Sequence, residues 1–142
     1  MAETLNLVEK VIALENVELL QKLKPEQLAR IASIASEVSF GPGKVVMDPL
    51  KPGSALMIVV EGSVQLSRGG QPIMVANQNE VLGAWALFDD EPLPIEAKTL
   101  EDTKLLRIDR DDFYDLLADN SEITQAIFST LVKRFRKLVE GS

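Results

Sequence analysis

The sequence predicts a mainly β fold, a sandwich or barrel, with helices before and after it. Between residues 40 and 108, short apolar and β-branched runs alternate with turn residues about every ten positions, a pattern typical of all-β domains. In the first forty residues, and again after residue 108, apolar residues recur at helical spacing instead. With 142 residues, 46% of them hydrophobic, the chain is long enough to bury a core, so we expect residues 1–142 to form a single domain.

Residues 1–39 are predicted to form the helices that precede the sheet. A first apolar face at helical spacing consists of Leu5, Val8, Val11 and Ile12. The stretch "VELLQKL" predicts a short helical turn, and Pro25 marks the start of a second helix because proline is favoured at the first helical position. The face of that helix predicted to turn inward is Leu28, Ile31, Ala32 and Ala35.

Residues 40–108 are predicted to form the strands. "FGPGK" and "PLKPG" indicate turns, with Gly41 and Gly43 free to adopt positive φ, and "KVVMD" between them indicates a short strand. "ALMIVVEGSVQLSR" is strand-like with a break at Gly62. Gly69 and Gly70 indicate a two-residue hairpin turn, after which "QPIMVANQNEVLG" returns and "EAKTLEDTKLLRID" supplies further strands.

Residues 109–140 are predicted to be helical again. Asp109 is the expected cap of the first of these helices, and Asp111 and Asp112 suit the positive end of its dipole. Ser121 is the expected cap of the last helix, whose apolar stripe is Ile123, Ile127, Leu131, Phe135 and Leu138.

Composition excludes several classes of function. The 22 acidic and 15 basic residues leave a net charge of −7, which argues against nucleic-acid binding through a basic face. The absence of histidine and cysteine removes the commonest general base, the commonest metal ligand and all thiol chemistry, so we expect no enzyme, no catalytic residues, no metal and no cofactor. Neither a signal peptide nor an apolar run long enough to span a bilayer is present, so we expect a cytoplasmic chain without membrane insertion.

Four segments, in order, resemble the cyclic-nucleotide-binding domain family from about Val17 to Leu138. They are "LLQKLKPEQLARIA", "FGPGKVV", "ALMIVVEGSVQL" and "TLEDTKLLRIDRDDFYDLL". The resemblance implies an eight-stranded jelly-roll β-barrel flanked by helices, closed between Val46 and Ile108. It also implies a domain that regulates an effector protein, either fused to it or separate, and a homodimer formed through part of the last helix while the rest packs on the barrel.

The stretch "VLGAWALFDDEPLPIEA" lies where the family keeps its phosphate-binding cassette, G-E-L-A-L-L followed by P-R-S/T-A. Gly83 matches the glycine, but the position of the ribose-binding glutamate is Ala84. The position of the phosphate-binding arginine is Leu93, and that of the hydroxyl residue after it is Pro94. Losing the arginine costs about 2–5 kcal/mol and losing the ribose acceptor about 1–3 kcal/mol, so nucleotide affinity should fall by at least about a hundredfold.

Two functions remain open from the sequence. The first is a non-catalytic regulatory or protein-interaction module that has lost cAMP and cGMP binding. The alternative is a sensor of a different, less charged small molecule in the same pocket, held near Ala84, Trp85 and Leu93. Trp85 itself is interpreted either as a core residue or as a platform on which a ligand stacks.

Overall fold

The helices of the computed structural model lie at the two ends of the chain. The structure describes residues 5–50, 54–84 and 94–141. The described helices are α1 (Leu7–Leu14), α2 (Pro25–Ser33), α3 (Arg110–Asp119) and α4 (Ser121–Glu140), with a 3₁₀ turn at Glu18–Leu20. The predicted turn within "VELLQKL" and the start of a helix at Pro25 are confirmed.

The eight described strands form two four-stranded antiparallel sheets. The helix-side sheet has the order β1 (Ala35–Phe40), β8 (Thr103–Asp109), β3 (Ala55–Glu61), β6 (Val81–Leu82). The outer sheet has the order β2 (Val45–Met47), β7 (Glu96–Thr99), β4 (Val64–Arg68), β5 (Gln71–Ala76). The jelly-roll fold is confirmed, but the predicted closure between Val46 and Ile108 is wrong, because the two sheets meet through side chains and are not closed into a barrel by hydrogen bonds.

Side chains alternate between two hydrophobic clusters on either side of the helix-side sheet. Leu56, Ile58 and Leu106 face the helices, where they pack with residues such as Phe113 and Ile127. From the same two strands, Met57, Val59 and Leu105 face the outer sheet. The helix-side sheet is therefore covered on both faces, which explains the near-continuous apolar sequence of β3.

The chain enters the sheet earlier than predicted. Residues 35–39 were expected to be helical, yet Ala35–Phe40 pairs residue by residue with β8. Val38 and Phe40 pack against the cluster between the sheets, while Glu37 accepts a hydrogen bond from the Leu5 N–H at 2.5 Å. Ala35 is buried as predicted, but in a strand and not on the face of α2.

Two of the predicted turns depend on glycine conformation. Gly69 and Gly70 have φ values of 56° and 81°, which confirms the hairpin between β4 and β5. Gly62 breaks the β3–β4 run at a φ of 96°, and Gly43 has a φ of 73°. Gly41 was expected to be free to adopt positive φ but does not use that freedom in the structure. Part of the predicted turn "PLKPG", residues 51–53, lies outside the described residues.

The predicted helix caps and one helix face differ from the structure. Asn120, not Ser121, is the N-cap residue of α4. Asp109 occupies the N-cap position of α3, but its carboxylate accepts a hydrogen bond from Arg107 Nε at 2.8 Å and caps no backbone N–H. In α1 the buried residue is Leu14, whereas Val8 and Ile12, predicted on the apolar face, are exposed. The inward face of α2 is confirmed by burial of Leu28, Ile31 and Ala32.

Candidate functional site

The strand β6 delivers the start of the cassette to the edge of the helix-side sheet. It pairs with β3 through Leu82 and Val81, opposite Met57 and Ile58. Gly83 follows with a φ of 73°, and a β-carbon there would lie 2.8 Å from the carbonyl oxygen of Ala55. A side chain at residue 83 is thus opposed both by the backbone conformation and by contact with β3, so the cassette glycine is a structural requirement of this chain.

Beyond that glycine the structure describes two of the remaining four candidate residues. Ala84 is partly buried and packs against the helix-side cluster, where its methyl group offers no hydrogen-bond acceptor. Pro94 is exposed. Trp85 and Leu93 lie outside the described residues. The structure therefore places Gly83 and Ala84 side by side after β6 and Pro94 just before β7.

The surface between the two sheets at this site is apolar. Across the outer sheet, Met47, Ala97, Leu66 and Met74 occupy laterally paired positions that face inward. They are opposed by the cluster residue Met57 and its neighbours in the helix-side sheet. The described side chains packed there are aliphatic and thioether groups, together with the ring of Phe40 at its margin.

Two basic side chains of the described strands, Lys98 and Lys104, lie away from the cluster between the sheets. Lys98 alternates with the buried Ala97 and Thr99 and is exposed on the outer face of its sheet. Lys104 lies 3.5 Å from the Glu37 carboxylate and 3.8 Å from that of Glu61. Arg107, by contrast, lies opposite the cluster residue Met57 and therefore on the face between the sheets, but its guanidinium is paired with Asp109 at 2.8 Å. A phosphate placed between the described strands would therefore meet mainly methyl and thioether groups and one arginine that is already paired.

Buried threonines connect the strands that surround the site. The Thr99 hydroxyl donates to the Gly41 carbonyl at 2.7 Å and accepts from the Lys44 N–H at 2.8 Å. In the β7–β8 turn, Thr103 donates to the Glu101 carbonyl at 2.8 Å, and its hydroxyl lies 3.3 Å from the Ser63 carbonyl of the β3–β4 turn. These contacts join β7 to the β1–β2 turn and β8 to the β3–β4 turn.

The exposed surface of α4 is wider than the sequence predicted. The predicted stripe divides, because Ile123 and Ile127 are buried whereas Phe135 and Leu138 are exposed. The outward face consists of the exposed residues Phe128, Val132, Phe135, Leu138 and Val139, of which Phe128, Val132 and Val139 were not predicted. The sequence signal of this face is the spacing of four, three and four residues between Phe128, Val132, Phe135 and Val139, a second apolar stripe that shares Phe135 with the predicted one.

Neither a metal-ligand cluster nor a membrane-spanning helix occurs among the described residues. No three carboxylate, imidazole or thiol side chains there are arranged to hold a metal ion. No described helix combines the length and the hydropathy of a membrane-spanning segment.

Comparison with known proteins identifies the domain. The family model for the cyclic nucleotide-binding domain matches residues 37–120, more than half of the chain. The chain is 25% identical over 122 residues to a CRP-like cAMP-activated global transcriptional regulator of Mycobacterium tuberculosis, covering 82% of this chain and 54% of that protein. It is 29% identical over 106 residues to a cAMP-dependent protein kinase regulatory subunit of Emericella nidulans, covering 73% of this chain and 26% of that protein.

Solved structures agree with this assignment. The N-terminal domain of a transcriptional regulator from Streptomyces coelicolor superposes with a TM-score of 0.82 at 27% identity, covering 92% of this chain and 94% of that one. The Thermus thermophilus catabolite activator protein superposes with a TM-score of 0.68 at 26% identity, covering 87% and 61%.

The chain is shorter than the curated relatives that it matches. It spans about half the length of the first curated relative and about a quarter of the kinase regulatory subunit. Several matched proteins are transcriptional regulators by name, so the comparisons do not support the expectation that no nucleic acid is contacted. From the extent of the family match and the two-sheet architecture, the chain belongs to the cyclic nucleotide-binding domain family.

Proposed function

We propose that this chain is a cytoplasmic, non-catalytic regulatory or protein-interaction module that has lost the binding of cAMP and cGMP. The curated relatives are regulators by name, which supports the regulatory part of the proposal. Its effector is a fused domain or a separate protein. The loss of binding is argued from the chemistry of the site.

The observation that carries the proposal is the apolar character of the site. A cyclic nucleotide brings a full negative charge, and a buried anion requires a paired cation or several hydrogen-bond donors. Ala84 supplies no ribose acceptor, Leu93 no charge, and Pro94 no backbone N–H. Arg107, on the face between the described sheets, is already paired with Asp109 at 2.8 Å, which reduces its capacity to replace the missing arginine.

Calorimetry with millimolar cAMP and cGMP tests the proposal. We expect no binding to the unmodified chain, and binding by the double variant Ala84→Glu with Leu93→Arg if the backbone of the cassette is intact. The matched control, Ala84→Gln with Leu93→Gln, adds polar side chains of similar size without charge and should not bind. Micromolar binding of either nucleotide by the unmodified chain would refute the proposal.

A sensor of a less charged ligand is the second candidate. Met47 and Met57 pack in the cluster between the sheets, and the exposed Met74 lies on the same face of the outer sheet. Methionine adapts to apolar ligands of varied shape. A neutral apolar dye such as Nile red should then bind, and Met74→Asp should weaken its binding while Phe135→Ala should not. Equal loss in both variants, or no dye binding, would argue against this candidate.

The partner surface that we propose is the outward face of α4. Every described residue from Val132 to Gly141 is exposed, so the end of the helix projects beyond the helix-side cluster. A protruding helix with exposed apolar residues at coiled-coil spacing is suited to pairing with a second copy of itself. Burial of Ile127 and Thr130 shows that the opposite face is already used within the domain.

A further inference from the structure

The strand β5 is an edge strand with apolar side chains exposed. It pairs with β4 and, within the described part of the chain, with no other strand. Three consecutive residues are substantially exposed, Ile73 at 51%, Met74 at 50% and Val75 at 38%. The six residues Gln71–Ala76 carry no charge, although edge strands are normally protected by charged side chains.

The exposed residues lie on both faces of the outer sheet. Met74 is opposite the buried Leu66, so its side chain lies on the face turned toward the other sheet. Val75 is opposite Gln65 and therefore lies on the outer face. A partner that docks on one face of the sheet would leave the other exposed, whereas an additional strand beside β5 contacts both.

We propose that β5 pairs antiparallel with β5 of a second copy of this chain, across a two-fold axis at Met74, so that the two outer sheets continue into one. In this register Met74 lies beside the partner's Met74, and Ile73 lies opposite the partner's Val75. Each apolar side chain then meets another on the same face, as cross-strand pairs in an antiparallel ladder require.

The charges at the two ends of β5 fit this register. Antiparallel pairing brings the β4–β5 hairpin of one copy near the turn that follows β5 in the other. Arg68 lies on β4 where that hairpin begins, and Glu80 lies in the turn, where its carboxylate also accepts a hydrogen bond from the Asn77 N–H at 2.6 Å. Arg68 is exposed and forms no ion pair among the residues that the structure describes. The two-fold axis repeats this opposition of charge at both ends, so the ends attract each other although the whole chain carries −7.

The remaining features of the strand set the centre of the pairing. Pro72 has no N–H to donate to a neighbouring strand, and the β4–β5 ladder shifts register between Leu66 and Ser67. Both features weaken pairing near the hairpin. In the proposed register Pro72 lies opposite the partner's Ala76, so the pairing is strongest over the three residues Ile73 to Val75.

Single cysteines test the register, because the native chain contains none. Residues directly opposite in a ladder lie at Cα distances of about 4.5–5.5 Å, within the range that a disulfide spans. Met74→Cys should form a disulfide-linked dimer when oxidised glutathione accepts the two electrons. Ile73→Cys mixed with Val75→Cys should crosslink faster than either variant alone, because those residues oppose each other. Circular dichroism of each reduced variant verifies that it is folded.

The control for random collision is Val45→Cys, since Val45 is exposed to 47% on the opposite edge strand of the same sheet. All cysteines are placed on a background of Phe128→Glu and Phe135→Glu, which removes association through α4. Crosslinking of Met74→Cys no faster than that of Val45→Cys would overturn the proposal. It would also be overturned if the Met74→Cys variant captured an added strand-forming peptide in preference to a second copy.

Sedimentation gives an independent measure of pairing through β5. It is carried out on the chain that carries Phe128→Glu and Phe135→Glu and no cysteine. We expect a concentration-dependent dimer whose dissociation constant rises at least about tenfold with Val75→Lys, which corresponds to about 1.4 kcal/mol. Arg68→Glu should also weaken it, and added salt should reduce the difference from the parent chain. A monomer at all concentrations, or a dimer unaffected by Val75→Lys, would refute pairing through β5.

Discussion

Two glycines with similar backbone angles are expected to differ in what they tolerate. Gly62 and Gly70 have φ values of 96° and 81°, so alanine is strained at both. At Gly70 an added β-carbon meets nothing within 4 Å, whereas at Gly62 it would lie 2.5 Å from the carbonyl oxygen of Asp102. We expect Gly70→Ala to lower the free energy of unfolding by about 1–2 kcal/mol, and Gly62→Ala by about 2–5 kcal/mol because overpacking adds to the strain.

Urea denaturation of both variants measures this difference. Gly70→Ala serves as the matched control, since it shares the left-handed backbone and lacks the contact. Equal losses of stability in the two variants would mean that the turn at Gly62 relaxes away from Asp102, and the close approach would then have no energetic weight.

A buried hydroxyl is expected to matter more than the methyl group beside it. Thr99 is 1% exposed, and its hydroxyl connects the Gly41 carbonyl to the Lys44 N–H. Thr99→Val keeps the shape but leaves these groups without that partner, so we expect a loss of about 1–3 kcal/mol in unfolding free energy. Thr99→Ser keeps the hydroxyl and should lose about 0.8 kcal/mol, the value of one buried methyl. A larger loss in the serine variant would contradict this account.

The sequence predicted individual site residues unevenly. Gly83 could be predicted because its left-handed conformation and its close approach to Ala55 require glycine. The glycine that opens the cassette motif reflects this local requirement. The inward row that contains Leu66 and Met74 could not, because it depends on the register of β4 with β5 and on a bulge between Leu66 and Ser67. One residue of slip would turn every side chain of the strand to the other face, and local sequence does not specify such a register.

Opposite faces of α4 are expected to respond differently to truncation. Ile127 is 3% exposed and Phe135 is 66% exposed. Ile127→Ala should lower the free energy of unfolding by about 2–5 kcal/mol. Phe135→Ala should leave the stability of the monomer within about 0.5 kcal/mol and weaken self-association through α4 by about 2 kcal/mol, or roughly thirtyfold.

Sedimentation and urea denaturation on the same samples separate these effects. The Val75→Lys background removes association through β5, so that only the α4 interface is measured. If Phe135→Ala destabilised the monomer as much as Ile127→Ala, the outward face would be packed within one chain. A parent chain that remains monomeric at all concentrations on this background would exclude the α4 dimer.

At the scale of elements, the sequence predicted every type of structure but missed one boundary. The segment "ASEVSF" follows α2 directly and contains only two strongly apolar residues, Val38 and Phe40, so its helical neighbours dominated the prediction. It forms β1 because β8 presents an unpaired edge and both apolar residues reach the cluster between the sheets. Long-range pairing therefore overrides local pattern here, as it does commonly in sheets.

For the whole molecule, the layers imply one cooperative unit. The strands β3 and β8 contribute to both hydrophobic clusters, since Ile58 and Leu106 face the helices while Val59 and Leu105 face the outer sheet. If either cluster loses its packing, the strands β3 and β8 that support the other cluster become exposed on one face. We therefore infer that helices and sheets unfold together. The least protected parts should be those that contact one layer only.

Native-state hydrogen exchange, measured at protein concentrations too low for association, is the observation that tests this layering. Amides of β3 and β8 lie in strands flanked on both sides, so they should exchange only through global unfolding, with an opening free energy equal to that from urea denaturation. Amides of β5 should exchange far faster, because among the described strands it pairs with β4 alone, and because its side chains are exposed. Leu105→Ala should accelerate exchange in β3 and in the buried part of α4 equally. Acceleration confined to the strands would show that the helices form a separate unit, and the single cooperative domain would then be wrong.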